Sequence, residues 1–203
     1  MKVLISHKQL EYDGFVKVEK AKLQFQRFSG IMSPEITRFR HFRGDAVAVL
    51  IYDPINLQVL LINQFRYPVY AKTGEGWFLE CVAGMSEENE SPLEVAKREV
   101  GEETGLRLKS LEPLAEYFFA PGGSSDKVIL FLGEVEDSQA PLGTHGLLHE
   151  GEEIQAQWVP LKQALDWVDS GDLSDAKAII GLTLLERRLR QKGLTTVSVR
   201  TPT

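Results

Sequence analysis

The chain has 203 residues, of which 43% are hydrophobic and 26% are charged, and its formal net charge is −6. This composition excludes a disordered chain and supports one packed domain with a small appendage. The acidic balance disfavours nucleic acid or an anionic membrane as the main partner. The single cysteine, Cys81, excludes an intrachain disulfide framework and a cysteine-based zinc site. The apolar run Val3–Ile5 is too short for a signal sequence or a membrane span, so we expect a cytoplasmic protein.

Residues 1–43 are predicted to form a separate β element. Ala21, Leu23 and Phe25 alternate with polar residues, as in a half-buried strand, and Ile36–Phe42 resumes the extended pattern after several turn residues. A hairpin-like layer of this size is only marginally stable in water. We therefore expect it to pack on the main body, residues 44–203, or on a second subunit.

The main body is predicted to combine strands with three helices. The predicted strands are Ala46–Tyr52, Gln58–Ile62, Trp77–Val82, Ala115–Ala120, Val128–Val135 and a stretch in which Ile154, Ala156 and Trp158 alternate. The predicted helices are Pro92–Thr104, Leu161–Val168 and Asp175–Gln191. This order favours a mixed sheet sandwiched between helices, α+β or α/β in outline, and periodicity leaves the strand order open.

The helix Pro92–Thr104 carries the clearest local signals. Ser91 is a capping residue, a proline occupies the first helical position, and Glu94 stands where a capping box requires glutamate. Gly105 occupies the position at which helices end in a left-handed residue. We expect Leu93, Ala96 and Val100 to form the buried stripe of this helix.

The other face of this helix is acidic. Glu99 and Glu103 are one turn apart with Glu102 beside them, and like charges at this spacing repel each other. A magnesium ion would relieve that repulsion, because it prefers carboxylate oxygens. Arg98 is spaced to reach Glu94 or Glu102 and to orient a carboxylate. The alternative interpretation is a solvated acidic face, which is common for such charge runs.

The surrounding segment decides between these interpretations. Gly84 is followed after five residues by Glu90, and after seven more by a run with the sequence REVGEETGL, from Arg98 to Leu106. Every fixed position of the Nudix box is filled, so the chain resembles the Nudix hydrolase family. From about Tyr12 to Leu189 the chain also resembles the bacterial ADP-ribose pyrophosphatases within that family.

The resemblance implies a fold and an assembly. The fold is α+β: a Nudix-type α/β/α sandwich with a mixed sheet, preceded by a small N-terminal antiparallel β element that serves dimerisation and substrate binding. The assembly implied is a homodimer acting on a small nucleoside diphosphate sugar, with no nucleic-acid or membrane partner. The reaction implied is magnesium-dependent hydrolysis of ADP-ribose to AMP and ribose 5-phosphate.

The resemblance also implies a metal site and a catalytic base. In similar enzymes the positions of the Ala83 carbonyl, Glu99 and Glu103, with Glu102 nearby, bind two or three Mg²⁺ ions, for which Mn²⁺ can substitute. Glu103 is therefore expected to be essential for catalysis. An acidic loop, residues 146–153, is expected to supply the base, with Glu150 the first choice and Glu152 the second. The alternative role of Glu152 is a metal contact instead. A solvated acidic turn is the alternative interpretation of this loop.

Substrate-binding residues follow from the same resemblance. Phe15 stands where related enzymes stack the adenine, and Arg38 and Arg66 match arginines that contact the base or the phosphates. Pro121 stands where ADP-ribose pyrophosphatases carry a characteristic proline, with Gly122 beside it. The simpler interpretations are a core phenylalanine for Phe15, a surface charge at a strand end for Arg66 and an ordinary Pro-Gly turn for Pro121-Gly122. His145 and His149, on the acidic loop or next to it, are assigned no role.

Two other functions remain open at this point. One is hydrolysis of another nucleoside diphosphate sugar, such as GDP-mannose, or of a dinucleoside polyphosphate, because the box handles only the shared pyrophosphate. The other is a non-catalytic Nudix module that senses a nucleotide. The complete set of box glutamates and the absence of a basic extra domain disfavour the sensing module.

Overall fold

The computed structural model describes residues 1–86, 89–136, 138, 142–147 and 151–193. The chain forms two compact units. The first comprises Met1–Asp45 and Tyr117–Lys127, and the second comprises Ala46–Glu116 and the described residues from Val128 onward. The segment Tyr117–Lys127 thus groups with the N-terminal strands.

The first unit is built on an antiparallel sheet of three strands in the order β1-β2-β3. These strands are β1 (Val3–Asp13), β2 (Lys17–Phe25) and β3 (Ile36–Phe42). The register pairs Val3 with Phe25 and Ala21 with Arg38. The predicted small antiparallel β element is confirmed. The sequence did not predict β1, because its side chains are exposed throughout and no alternation of buried and exposed positions marks it.

The second unit contains most of a larger mixed sheet. Its strands are β4 (Ala46–Asp53), β5 (Gln58–Phe65), β6 (Trp77–Glu80), β7 (Val82–Met85), β8 (Leu108–Phe118), β9 (Lys127–Val135), β10 (Thr144–His145) and β11 (Ile154–Pro160). The order is β10-β11-β5-β4-β9-β8, with β6 paired to β5 and β7 to β4. Because β4 runs parallel to β9 but antiparallel to β5, the sheet is mixed, as predicted.

Helices cover both faces of this sheet. They are α1 (Tyr67–Thr73), α2 (Pro92–Thr104), α3 (Leu161–Ser170) and α4 (Ala176–Gln191). Alternate residues of the buried strand β4 face opposite sides, so Val49 packs in the cluster that includes α2, while Leu50 packs in the cluster with α3 and α4. The predicted α/β/α arrangement is therefore confirmed. None of the described helices combines the length and the apolar character that crossing a membrane requires.

Several elements of the larger sheet and its helices differ from the sequence prediction. The single predicted strand Trp77–Val82 is two strands, β6 and β7, which pair with β5 and β4, and β10 was not predicted. Strand β8 begins at Leu108 rather than at Ala115, with Pro113 inside it. The prediction started the strand after this proline, but β8 ends the strand order, and an edge strand tolerates a residue that lacks a backbone N–H. Helix α1 was not predicted at all, because it has only seven residues and none is buried, so it carries no apolar stripe.

Candidate active site

The capping signals of helix α2 work as predicted. The Ser91 hydroxyl accepts from the Glu94 backbone N–H at 3.4 Å, and the Glu94 carboxylate accepts from the Ser91 N–H at 2.9 Å. Gly105 ends the helix with a φ of 71°, and its N–H donates to Gly101 O at 2.9 Å. Helix α2 therefore begins and ends where these residues predict.

The buried face of α2 differs from the prediction at one residue. Val95, Ala96 and Val100 are fully buried against the sheet, whereas Leu93 remains 48% exposed. Including Leu93 in the stripe was therefore wrong. Leu93 lies in the first turn of the helix, where the apolar packing has not yet begun, and Val95 supplies the buried contact instead.

The three box carboxylates lie at different depths. The side chains of Glu102 and Glu99 are 30% and 12% exposed, and Glu103 as a residue is only 3% exposed. Burial raises the pKa of Glu103 well above its ordinary value, and the negative charge of Glu99 raises it further. Burial is also the main cause of the raised pKa of Glu99. Ionising Glu99 and Glu103 in this environment therefore costs free energy, and a bound cation would offset that cost.

Strand β7 approaches these carboxylates closely. The Ala83 N–H donates to Glu103 Oε2 at 3.2 Å. A Cβ atom built on the next residue, Gly84, would overlap the Glu99 carboxylate. Gly84 also pairs with Val47 of β4, which fixes its backbone in the sheet. The box therefore requires glycine here because the Glu99 carboxylate occupies the space that a side chain would fill.

Arg98 forms hydrogen bonds with glutamates from both ends of the box, Glu90 on one side and Glu99 and Glu102 on the other. Its Nη1 atom donates to Glu99 Oε1 at 2.8 Å and to Glu102 Oε2 at 3.0 Å. Its Nε atom donates to Glu90 Oε1 at 3.0 Å, and Nη2 donates to Met85 O at 3.2 Å. Of the two partners that the sequence offered, Arg98 takes Glu102, because Glu94 is occupied by the helix cap. The Arg98 guanidinium thus orients the carboxylates of Glu99 and Glu102.

The end of β5 contributes polar groups to the same region. Gln64 is 5% exposed, and its Nε2 donates to Glu152 Oε1 at 3.1 Å. The other carboxylate oxygen of Glu152 accepts from the Leu147 N–H at 3.3 Å. The charge of Glu152 contributes to the raised pKa of Glu99, so the two carboxylates interact. Glu150 and His149 lie outside the described residues.

Arg66 lies between β5 and helix α1, as the residue that precedes the helix. Its Nε atom donates to the buried Glu80 carboxylate at 2.6 Å, and its side chain is 36% exposed. Burial lowers the pKa of Arg66, but the carboxylates of Glu80, Glu103 and Glu152 raise it more, so the net shift is upward. Arg66 therefore interacts electrostatically with the box residue Glu103.

The other predicted substrate residues belong to the first unit. Phe15 is 75% exposed, with the Arg43 guanidinium 3.8 Å from its ring centroid, so it is not a core residue. Arg38 and Gly122 line one cavity of about 460 Å³. Pro121 lies in an exposed turn in which the Gly123 N–H donates to Ala120 O at 2.9 Å. The turn interpretation of Pro121-Gly122 thus describes its local geometry.

The donor set of the second unit fits a hard divalent cation. Carboxylates of α2 and the backbone of β7 meet, and Gln64 Oε1 is buried with no hydrogen-bond partner among the described residues. Within the same residues, no three His, Cys, Asp or Glu side chains form a preformed cluster. The carboxylates of Glu99 and Glu102 are both hydrogen-bonded to Arg98. The chemistry of the donors suits Mg²⁺ better than a soft metal.

Comparison with known proteins identifies the family. The family model described as the NUDIX domain matches residues 42–179, a span that includes β7, α2 and Arg66. The chain belongs to the Nudix family. Its fold is similar to a solved structure described as "Crystal structure of ADP compounds hydrolase", with a TM-score of 0.73, 22% identity and coverage of 96% of this chain and 98% of that chain. The fold predicted from the Nudix resemblance is therefore confirmed.

Curated Nudix relatives cover most of the chain. The ADP-ribose pyrophosphatase of Escherichia coli strain K12 is 38% identical over 175 residues, which are 86% of this chain and 83% of that protein. The ADP-ribose pyrophosphatase of Haemophilus influenzae is 36% identical, with 90% and 85% covered. The GDP-mannose pyrophosphatase of Yersinia enterocolitica is 35% identical over a shorter 139 residues, 68% and 71% of the two chains. The predicted Nudix pyrophosphohydrolase class is confirmed.

The site of this Nudix protein includes residues that sequence reasoning missed. Gln64 donates to Glu152, Glu80 accepts from Arg66, and Lys177 donates to Glu80. One signal was available: Gln64 continues the face of β5 that carries Ile62, so a polar residue replaces an apolar one on a buried face. No sequence signal pointed to Lys177, which lies 97 positions from Glu80.

Proposed function

We propose that this chain hydrolyses the diphosphate of ADP-ribose to AMP and ribose 5-phosphate in a reaction that requires Mg²⁺. The observation that carries the proposal is the complete set of box carboxylates on α2, oriented by Arg98 and packed against Gly84. The relatives named ADP-ribose pyrophosphatase, at 36–38% identity over most of the chain, support the substrate.

The metal-binding residues in this proposal are Glu99, Glu102, Glu103 and the carbonyl of Ala83. They would hold two or three Mg²⁺ ions, with Mn²⁺ as a substitute. When bound, the metal neutralises the diphosphate and lowers the pKa of a coordinated water. The buried position of Glu103 supports the assignment, because its carboxylate lies in a low-dielectric site where a cation interacts strongly.

The proposed base is Glu150, with Glu152 the second candidate. The base takes the proton of the attacking water, and the attack is in line at one phosphorus. Both oxygens of Glu152 accept hydrogen bonds, one from Gln64 and one from the Leu147 backbone. These contacts favour Glu152 as an anchor for the loop rather than as the group that accepts the proton.

We propose that Arg66 binds the diphosphate and that the N-terminal element supplies the rest of the substrate contacts. The exposed ring of Phe15 is free of core packing and would stack on adenine. Arg38, Pro121 and Gly122 would contact the base or phosphates, which the cavity shared by Arg38 and Gly122 supports. A guanidinium suits both ligands, because its fork donates two parallel hydrogen bonds.

We also propose a homodimer in the cytoplasm, assembled through the N-terminal element. The dimer is supported by the apolar side chains of strand β1, because five of them are at least 43% exposed: Val3, Leu4, Ile5, Leu10 and Tyr12. Light scattering on the purified protein tests the dimer, because a monomer mass at micromolar concentration would contradict it. Cell fractionation tests the location.

A substrate panel tests the proposed reaction. Purified protein would be assayed with ADP-ribose, GDP-mannose and a dinucleoside polyphosphate, each with and without Mg²⁺. ADP-ribose should give the highest kcat/KM, and EDTA should abolish turnover. Hydrolysis in oxygen-18 water then identifies the attacked phosphorus, because the label enters only one product. No cleavage of any panel member in Mg²⁺ or Mn²⁺ would contradict the proposal.

GDP-mannose hydrolysis is the second candidate function. The relative from Yersinia enterocolitica named GDP-mannose pyrophosphatase is 35% identical, but the match covers only 68% of this chain. The relatives named for ADP-ribose match a longer part of this chain, and this favours ADP-ribose. A kcat/KM for GDP-mannose above that for ADP-ribose would reverse the order.

A further inference from the structure

The Glu80 carboxylate of the second unit holds a different cation on each oxygen. Oε1 accepts from Arg66 Nε at 2.6 Å, and Oε2 accepts from Lys177 Nζ at 2.9 Å. Glu80 is 3% exposed and the Lys177 side chain is 17% exposed, so these charges are largely removed from water. Within the part of the chain that the structure describes, the Arg66 side chain donates through Nε, which leaves its terminal nitrogens for a ligand.

Lys177 is itself fixed by the start of helix α4. Asp175 caps the helix by accepting from the Lys177 and Ala178 backbone N–H groups at 3.3 and 3.1 Å. Asp175 Oδ1 also accepts from Lys177 Nζ at 2.7 Å, and Oδ2 accepts from the N–H of Cys81, the residue after Glu80. The helix cap and the end of β6 are therefore joined through the same two side chains.

Fold stability alone does not explain such a network. Replacing a buried ion pair by apolar residues of similar volume is often neutral or stabilising, so buried charge needs another reason to be retained. The two carboxylates and two cations of this network balance in formal charge. Its exposed end is Arg66, whose guanidinium interacts with Glu103 and Glu152. The buried charges thus lead from α4 to Arg66, which is the most exposed of the four side chains.

We propose that Glu80 and Lys177 are positioning residues that fix the Arg66 guanidinium for the diphosphate of the substrate. This inference rests on the proposed hydrolysis of a nucleoside diphosphate sugar. Glu80 holds the Nε edge of the guanidinium, and Lys177 holds Glu80 against rotation. The rotamers of a long arginine are thereby restricted before the substrate arrives, so less entropy is lost when the phosphate binds.

A double-mutant cycle between Arg66 and Glu80 tests the inference. Arg66→Ala alone should raise KM for ADP-ribose about 10-fold or more, as expected for a lost charge-assisted hydrogen bond. Glu80→Gln should raise KM about as much and leave kcat within about threefold. In the Glu80→Gln background, Arg66→Ala should add less than about threefold, because the guanidinium is already misplaced.

Two further measurements separate positioning from a purely structural role. Lys177→Met should raise KM, and its effect on KM should not multiply with that of Arg66→Ala. Lys177→Arg should keep KM near the wild-type value, because arginine also carries a positive charge. These variants answer the question if Glu80→Gln does not fold. Glu112→Gln is the matched control, because it breaks the ion pair of Glu112 with Arg188 at 2.8 Å elsewhere in the same unit. Its KM should equal that of the wild type.

The outcomes are distinct. A lower melting temperature with unchanged KM in Glu80→Gln and Lys177→Met would overturn the inference and leave the proposed function intact. The inference would also be overturned, with the proposed function intact, if the effect of Arg66→Ala on KM multiplied fully with the effects of Glu80→Gln and Lys177→Met. If the wild-type protein cleaves no nucleoside diphosphate sugar with Mg²⁺ or Mn²⁺, the proposed function fails, and the positioning role fails with it.

Discussion

Gln64 and Glu152 are joined by a hydrogen bond of 3.1 Å between Nε2 and Oε1, although they lie 88 positions apart in the chain. The bond connects the end of β5 to the acidic loop, and the second oxygen of Glu152 accepts from the Leu147 N–H. A carboxylate held at both oxygens is well suited to anchor a loop. It is less suited to accept a proton from water.

The first prediction concerns the two loop glutamates. Glu150→Gln should lower kcat by about 100-fold or more, which is the range for the loss of a general base. Glu152→Gln should have a smaller effect, because glutamine still accepts a hydrogen bond from Gln64 or Leu147. Steady-state kinetics on both variants give the comparison. A larger kcat loss in Glu152→Gln would assign the base to Glu152 instead.

The second prediction concerns the box glycine. Gly84→Ala should lower kcat by about 100-fold, because the added Cβ displaces the Glu99 carboxylate and small displacements at an active site are costly. Gly101→Ala in α2 is the matched control, since no atom outside the local helix backbone lies within 4 Å of the position that its Cβ would take. It should keep full activity and gain up to about 1 kcal/mol of stability. Equal activity in the two variants would contradict the steric role of Gly84.

The third prediction concerns Phe15. Phe15→Ala should raise KM for ADP-ribose about 10-fold or more, as expected for the loss of one stacked base, while the melting temperature stays the same because the ring is exposed. Phe28→Ala is the control, because Phe28 is another exposed phenylalanine of the same unit. An unchanged KM in Phe15→Ala would remove the stacking role.

The fourth prediction concerns stability against pH. Burial alone would raise the pKa of Asp53, but hydrogen bonds from Asn56 and Ser138 and from the Asn56 and Ile55 backbone lower it from 3.8 to about 2. A lowered pKa in the folded state stabilises the protein above pH 3.8, and this contribution is lost as the pH falls towards 2.

The Asp53→Asn variant isolates this contribution. Near neutral pH it should be about 2 kcal/mol less stable than the wild type, and the difference should shrink as the pH approaches 2. Urea unfolding of both proteins between neutral and acid pH measures the difference. A difference that is constant across this range would contradict the lowered pKa.

The sequence predicted most of the second unit because its signals are local. Helix α2 follows from Ser91, Glu94 and Gly105, and the buried strand β4 follows from its continuous apolar run. The spacing of the box also brought Glu99 and Glu103 to one side of a helix without any knowledge of the fold. These features depend on residues only a few positions apart.

The rest depends on contacts that periodicity does not report. The pairing of Glu80 with Lys177 joins β6 to α4 across 97 positions, and nothing near either residue indicates the other. Strand β1 and helix α1 have no buried face to mark them, and Pro113 concealed the start of β8. The strand order likewise follows from long-range pairing.

The central claim is that the carboxylates of α2 bind the metal that activates diphosphate cleavage. The most direct test is kcat for ADP-ribose in Glu103→Gln at saturating Mg²⁺, with circular dichroism to confirm that the variant folds. Glu103 is buried and its side chain accepts from Ala83, so glutamine fits the same space but lacks the charge. We predict that kcat falls by orders of magnitude, and near-normal turnover would contradict the account.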